Sequence, residues 1–159
     1  MSGYLLVSPS QNHLTTMMGW FGCETVLRQW AGPQFSYPFD EQSFKADLRL
    51  QTLASFALID QQNELVAFGQ YYLRNGRCHL GRLAVSPSQR GKGIALQLID
   101  ELLQHGCSAL AVKQGSLFVF AENVSAIKAY EKAGFEFCQY PELIPMPDCF
   151  YMVKLKITL

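Results

Sequence analysis

The sequence predicts an α/β fold in which a mixed, mostly antiparallel sheet of about seven strands carries helices on its faces. Three consecutive segments between residues 54 and 86 alternate apolar and polar side chains with a period of two. The second turn between them is Asn75-Gly76, a strong hairpin signal. After residue 90 the pattern becomes helix, strand, helix and two strands, so the strands flanking the first of these helices should be parallel.

The first third of the chain is predicted to be one strand followed by short helices. The strand covers residues 4–8, and apolar residues at helical spacing follow it up to Gly22. A second short helix is expected over residues 23–30. Asp40 is the expected N-cap of a third helix over residues 41–50.

The second half of the chain supplies the remaining elements. We expect a helix from about Gly93 to His105, with Gly106 as its end. A buried strand over residues 116–121 and a helix over 125–134 follow. Two strands, over 135–140 and 149–157, should close the sheet, and the edge of the last strand could pair in a homodimer.

Composition narrows the function classes. Lys plus Arg and Asp plus Glu both number 13, so no chain-wide basic field exists to bind nucleic acid. No segment approaches the roughly 18 apolar residues of a membrane span. The five cysteines include no C-x-x-C pair, so we expect reduced thiols and no metal. These features predict one cytoplasmic domain over residues 1–159.

The glycine turn in "LAVSPSQRGKGIALQLIDELLQHG", residues 83–106, is the strongest functional signal. The spacing excludes a Walker loop, and position 96 is Leu where a dinucleotide-binding turn requires glycine. The pattern R-x-x-G-x-A at Arg90, Gly93 and Ala95 instead favours a pyrophosphate held by backbone N–H groups at a helix start. A strand-to-helix connection without a ligand remains the alternative.

This turn and the later segment "ENVSAIKAYEKAGFE" together resemble the signature segments of the GNAT superfamily of acyl-coenzyme A dependent N-acyltransferases. The resemblance covers nearly the whole chain, although residues 11–50 match only in outline. It implies a splayed central strand pair and acetyl-coenzyme A as co-substrate. It also implies a binding set, in which the pantetheine arm and the diphosphate contact Leu83, Ala84, Val85, Arg90, Gly91, Lys92, Gly93, Ile94, Ala95, Asn123 and Tyr130.

The same resemblance implies direct acetyl transfer to a primary amine. Tyr130 occupies the position of the family's general acid, although it could instead be a packing aromatic. Asn123 could contact the pantetheine arm or cap the following helix. Glu122 is the predicted general base, with His79, Asp148 and a chain of water molecules as alternatives.

The acceptor is expected to be a small-molecule amine or a peptide N-terminus. Aromatic residues are dense between positions 20 and 44, and among them Trp30 and Tyr37 are predicted to line the acceptor cleft, with core packing as the alternative. Asp40, Glu41 or Glu142 could attract the positive charge of the amine. A domain that binds acyl-coenzyme A without turnover, as a sensor, is the alternative function.

Overall fold

The computed structural model describes residues 3–32 and 35–158, in which seven strands form one sheet and confirm the predicted fold class. The spatial order is β1-β2-β3-β4-β5-β7-β6, and only β4 and β5 run parallel. The strands are β1 (Leu5–Val7), β2 (Ala54–Ile59), β3 (Leu65–Arg74), β4 (Arg77–Val85), β5 (Gly115–Phe120), β6 (Glu136–Cys138) and β7 (Cys149–Lys154). Because β7 lies between β5 and β6, the expectation that the last strand offers a free edge is wrong; the edges are β1 and β6.

Five α-helices accompany the sheet in the described part of the chain. They are α1 (Gln11–Met18), α2 (Glu24–Ala31), α3 (Glu41–Leu48), α4 (Ile94–Leu110) and α5 (Val124–Lys132). Asp40 caps α3 as predicted, because its carboxylate accepts the backbone N–H of Ser43 at 2.8 Å. None of the described helices is both long and apolar enough to cross a membrane.

The β3–β4 hairpin closes at the predicted turn. Asn75 and Gly76 have φ values of 50° and 73°, as a type I′ turn requires, and Arg74 pairs with Arg77 across it.

Two apolar cores lie on opposite faces of the sheet. One contains Leu98 and Leu102 of α4 packed on Leu80 and Leu117. The other joins helices α1 to α3 to the opposite face, with members such as Leu14, Leu27, Phe44, Phe68 and Ala84. Leu80 and Ala84 are four positions apart, a spacing that places two side chains on the same face of a regular strand. They belong to different cores, so β4 changes the direction of its side chains between these two positions.

Helix α4 continues past the predicted end at Gly106, and that prediction is wrong. The helix ends at Leu110, where Ala111 takes a left-handed conformation with φ of 56°. Gly106 lies inside the helix and is buried. A Cβ atom on Gly106 would lie 2.5 Å from the sulfur of Cys78 and 3.1 Å from the ring of Tyr71. Close packing of helix on sheet, and not helix termination, is therefore the reason for glycine here.

Replacing Gly106 with alanine should destabilise the protein, even though alanine is favoured over glycine in a helix by about 1 kcal/mol. The added methyl group would overpack the contact with Cys78, and we expect a net loss of about 1–2 kcal/mol in the free energy of unfolding. Urea denaturation measures this change. Ser108→Ala, at an exposed position of the same helix, is the matched control and should change stability by less than about 0.5 kcal/mol. A stabilised Gly106→Ala variant would contradict the packing argument.

Candidate active site

The site begins where the central strands separate. Strands β4 and β5 pair only through Cys78–Gly115, His79–Ser116 and Leu80–Leu117. Beyond this point β4 stays paired with β3 as far as Val85, and β5 stays paired with β7 as far as Phe120. A gap therefore opens within the sheet while each bordering strand keeps its other neighbour.

A β-bulge in β4 adjoins the gap. Gln70 pairs with Gly81 and Phe68 pairs with Ala84, so two residues of β4, Arg82 and Leu83, lie opposite the single residue Gly69. Arg82 has a φ of 50°, a left-handed conformation that non-glycine residues seldom adopt. The extra residue explains why Leu80 and Ala84 face opposite sides of the sheet.

The gap continues into a cleft of about 920 Å³. Eight of the predicted site residues line it: Trp30, Leu83, Ala84, Val85, Arg90, Ala95, Asn123 and Tyr130. Six others do not contribute to its described walls: Tyr37, Gly91, Lys92, Gly93, Ile94 and Glu122. The side chain of Ile94 is buried in the core, so only its backbone N–H is available to a ligand.

The glycine turn has the properties of an anion site. Gly91 and Gly93 have φ values of 81° and 76°, and a Cβ atom built on either would meet no protein atom within 4 Å. In the described part of the chain no N-cap side chain bonds the start of α4, and the first N–H groups of a helix have no intrahelical acceptor. Free N–H groups, the positive end of the helix dipole and the open space beside the glycines fit a diphosphate.

Tyr130 projects from α5 and is partly exposed at the wall of the cleft. Burial raises the pKa of its phenol to about 12, so the hydroxyl keeps its proton at neutral pH. Asn123 accepts the backbone N–H of Ala126 at 3.4 Å and so caps α5, while it also lines the cleft. Asn123 therefore has one of its two predicted roles, the helix cap, and contact with the pantetheine arm stays a prediction.

The three candidate bases lie in different surroundings. The exposed carboxylate of Glu122 is outside the walls of the cleft. Asp148 is also exposed and lines a separate surface groove beside β6 and β7. His79 does line the cleft, but it is 2% exposed, and its Nδ1 lies 2.8 Å from the hydroxyl of Ser116. Burial, with a smaller effect from Arg74, lowers the pKa of His79 to about 3, which makes it a neutral sheet residue and a poor base.

Trp30 and Tyr37 have different positions. Trp30 stacks on Phe21 with ring centres 4.2 Å apart and borders the cleft, and so belongs both to the core and to the wall. Tyr37 is 40% exposed, with its hydroxyl 3.5 Å from the carbonyl oxygen of Gly22.

The carboxylates expected to attract an amine are engaged elsewhere. Asp40 caps α3, and Glu41 forms an ion pair with Lys45 at 3.1 Å. Glu142 is exposed in the groove beside β6 and β7. None of these three groups lines the described cleft, so their attraction of the acceptor stays a prediction.

The sequence analysis missed several polar residues of the cleft, among them Gln70, Arg74 and Arg82. Gln70 is 1% exposed and binds the carbonyl oxygen of Leu48 and the hydroxyl of Ser55. A signal was present, because Gln70, Tyr72 and Arg74 occupy alternate positions of an otherwise apolar strand. Polar side chains at such a spacing indicate that one face of the strand borders a polar site.

Comparisons with known proteins agree with this geometry. Residues 25–135 match the model of the acetyltransferase (GNAT) family. The spermine/spermidine N(1)-acetyltransferase of Bacillus subtilis (strain 168) is 31% identical over 84 residues, covering 48% of this chain and 55% of the relative. The match thus spans about half the length of that curated relative.

Solved structures share the fold at low identity. A crystal structure of spermidine N-acetyltransferase from Vibrio cholerae, in complex with CoA and spermine, superposes with a TM-score of 0.74 and 20% identity. The match covers 98% of this chain and 97% of that one. A dodecameric structure of the same Vibrio cholerae enzyme superposes with a TM-score of 0.67 at 20% identity, over 98% of this chain and 95% of that one.

Gly93→Val should abolish coenzyme A binding. Valine disfavours a φ of 76°, and its side chain would fill the open space beside the free N–H groups. Isothermal titration calorimetry with coenzyme A measures the loss. Gly76→Val is the matched control, because Gly76 also has a positive φ and open space but lies in the β3–β4 turn. It should destabilise the fold and leave coenzyme affinity unchanged, and equal loss of affinity in both variants would contradict the assignment.

Burial of neutral His79 should make the protein acid-sensitive. The unfolded chain takes up a proton near pH 6.5, while the folded chain does so only near pH 3. The contribution of His79 to the free energy of unfolding is therefore fully present above pH 6.5. Between pH 6.5 and about pH 3 it falls by about 1.4 kcal/mol for each pH unit. Urea denaturation at pH 7 and pH 4.5 should show this slope in the wild type and in Ser116→Ala, which keeps the imidazole. His79→Asn should lack that part of the slope, and an unchanged slope in His79→Asn would refute the argument.

Proposed function

The chain belongs to the GNAT family of acetyltransferases, and from that premise we propose that it transfers an acetyl group from acetyl-coenzyme A to a primary amine. The observation that carries the proposal is a cleft bordered together by the end of β4 that does not pair with β5, the start of α4 and Tyr130. The curated relatives are named as polyamine N-acetyltransferases, which supports acetyl transfer to an amine.

Acetyl-coenzyme A would supply an activated acetyl group and a thiolate leaving group. The backbone N–H groups from Arg90 to Ala95 would hold its diphosphate, because the turn is open and α4 has no side-chain cap. The main chain of Leu83, Ala84 and Val85 would bind the pantetheine arm. Since β5 does not pair with this part of β4, the arm can take the place of a neighbouring strand.

The transfer breaks the carbon–sulfur bond of the thioester and forms a carbon–nitrogen bond. One proton leaves the amine and one proton is finally taken up by the sulfur. With its pKa raised to about 12, Tyr130 holds its proton more tightly than an ordinary thiol of pKa about 8.5. Tyr130 would therefore act mainly by donating a hydrogen bond to the departing sulfur, and the proton that leaves the amine balances the reaction.

Removal of the proton from the amine needs a base. Glu122 remains the predicted base, and a proton would reach its exposed carboxylate through water because it lies outside the cleft wall. A homodimer also remains a prediction, for which the exposed strand β6 is an available sheet edge.

Tyr130→Phe should lower kcat by about 100-fold, because it removes only the hydroxyl that stabilises the leaving sulfur. Coenzyme A affinity should stay within about threefold of the wild-type value. Turnover is measured as thiol release when acetyl-coenzyme A is mixed with amino acids, neutral amines or polyamines. Calorimetry measures the affinity for coenzyme A.

Tyr71→Phe is the matched control, because Tyr71 of β3 is buried in the core between the sheet and α4 and lies outside the cleft. It should leave kcat unchanged. Equal losses of turnover and affinity in Tyr130→Phe would show that Tyr130 is structural. Binding of acetyl-coenzyme A with no transfer to any amine would refute the enzyme and favour a sensor.

A further inference from the structure

The charged residues that line the cleft are all of one sign. They are Arg49, Arg74, Arg82 and Arg90. Of the described residues in its walls, none is Asp or Glu. Arg90 lies in the glycine turn and suits the diphosphate, which leaves three guanidinium groups that the proposed coenzyme site does not use.

Arg82 is held in place by neutral groups. Its Nη1 donates to the side-chain oxygen of Gln70 at 2.9 Å, and its guanidinium lies 5.0 Å from the centre of the Phe35 ring. Its Nε is buried and has no hydrogen-bond partner among the described residues. Burial lowers the pKa of Arg82, and nearby Asp47 offsets only part of this effect; the Asp47 carboxylate accepts the backbone N–H of Ser36 and forms no ion pair with Arg82. The Nε atom is too deeply buried for a ligand to reach, so the Nη atoms of Arg82 are the donors that can face the cleft.

Arg74 is fixed in a similar way. Its Nε donates to the hydroxyl of Tyr140 and its Nη1 to the hydroxyl of Tyr72, both at 2.8 Å. The guanidinium also lies 5.0 Å from the centre of the Phe118 ring. Aromatic rings and hydroxyls orient this cation, and no carboxylate of the described chain pairs with it.

These two arginines border the same side of the sheet. Gln70, Tyr72 and Arg74 occupy alternate positions of β3 and so share one face, and Gln70 holds Arg82. Tyr72 bonds Arg74 and is near enough to influence the charge of Arg82. Both arginines therefore belong to the wall that β3 and β4 contribute to the cleft, at a different place in the chain from Arg90.

We infer that the acceptor is an amine that also carries a carboxylate, such as an amino acid, and that Arg82 binds that carboxylate while Arg74 adds a second positive charge to the same wall of the cleft. This inference rests on the proposed acetyltransferase function. Oriented guanidinium groups with free donors match the geometry of a carboxylate. A polyamine has only positive charges, and the three remaining arginines, with no carboxylate among the described residues of the cleft walls, would repel it.

The test uses thiol release from acetyl-coenzyme A with matched acceptors: amino acids, their carboxamides, their decarboxylated amines, spermidine and spermine. We expect kcat/KM for the best amino acid to exceed that of its carboxamide by at least tenfold, and that of either polyamine by more. Arg82→Gln and Arg74→Gln should each lower kcat/KM for the amino acid by about 10- to 100-fold. The same variants should change the value for the carboxamide by less than threefold.

Arg77→Gln is the matched control, because Arg77 is also held by neutral groups, Gln114 and Tyr151, but does not line the cleft. It should keep the preference for the carboxylate. Circular dichroism and coenzyme A affinity identify any variant that fails to fold, and for such a variant Arg82→Lys or Arg74→Lys is measured instead.

Two results would overturn the inference and leave the proposed function intact. One is preferred acetylation of spermidine, spermine or the neutral amines, and the other is unchanged selectivity in both arginine variants. If no acceptor is acetylated, calorimetric titration of the amino acids into the coenzyme A-loaded protein gives a separate answer. Binding that Arg82→Gln abolishes would support the carboxylate site while refuting turnover, and absence of binding would overturn both.

Discussion

The early end of the β4–β5 pairing, at Leu80 and Leu117, is the constraint on which the site depends. In a fully paired sheet the central strands would satisfy each other's backbone groups and leave no room between them. Here each strand keeps its outer neighbour to its far end, so firmly paired strands border the gap. The backbone groups of β4 that face the gap are consequently available to a ligand or to water.

Local packing fixes the place where the strands separate. The side chains of His79 and Ser116 hydrogen-bond to each other at the second-last β4–β5 pair before the gap. The centre of the imidazole ring lies 4.7 Å from the centre of the Phe118 ring. A neutral, buried imidazole joins the two strands there without introducing charge. The bulge at Arg82 then turns the side chains of β4, so that Leu83 and Val85 pack toward α4 while Ala84 packs toward helices α1 to α3. The end of the β4–β5 pairing, the bulge in β4 and the packing of the two cores are therefore mutually consistent.

The sequence predicts the features that depend on local conformation. Asn75-Gly76 and the Asp40 cap follow from backbone preferences of single residues, and the structure contains both. Gly106 was misinterpreted because a glycine that ends a helix and a glycine required by close packing are identical in sequence. The roles of Arg74 and Arg82 depend on partners distant in the chain, Tyr140 and Gln70, and on which strand ends border the gap. No local pattern encodes those contacts.

The distribution of charge connects binding to chemistry. The chain has no net charge, yet the charged residues of the described cleft walls are arginines alone, so the positive charge is concentrated where the ligands would lie. A nearby cation disfavours the ammonium form of an amine and lowers its pKa, and the effect is strongest where water is excluded. An amine whose carboxylate is neutralised by Arg82 and Arg74 would therefore lose its proton more readily than the same amine in water. Water could then carry that proton toward Glu122 outside the cleft wall, so that the described walls need no carboxylate and the one histidine can stay bonded to Ser116.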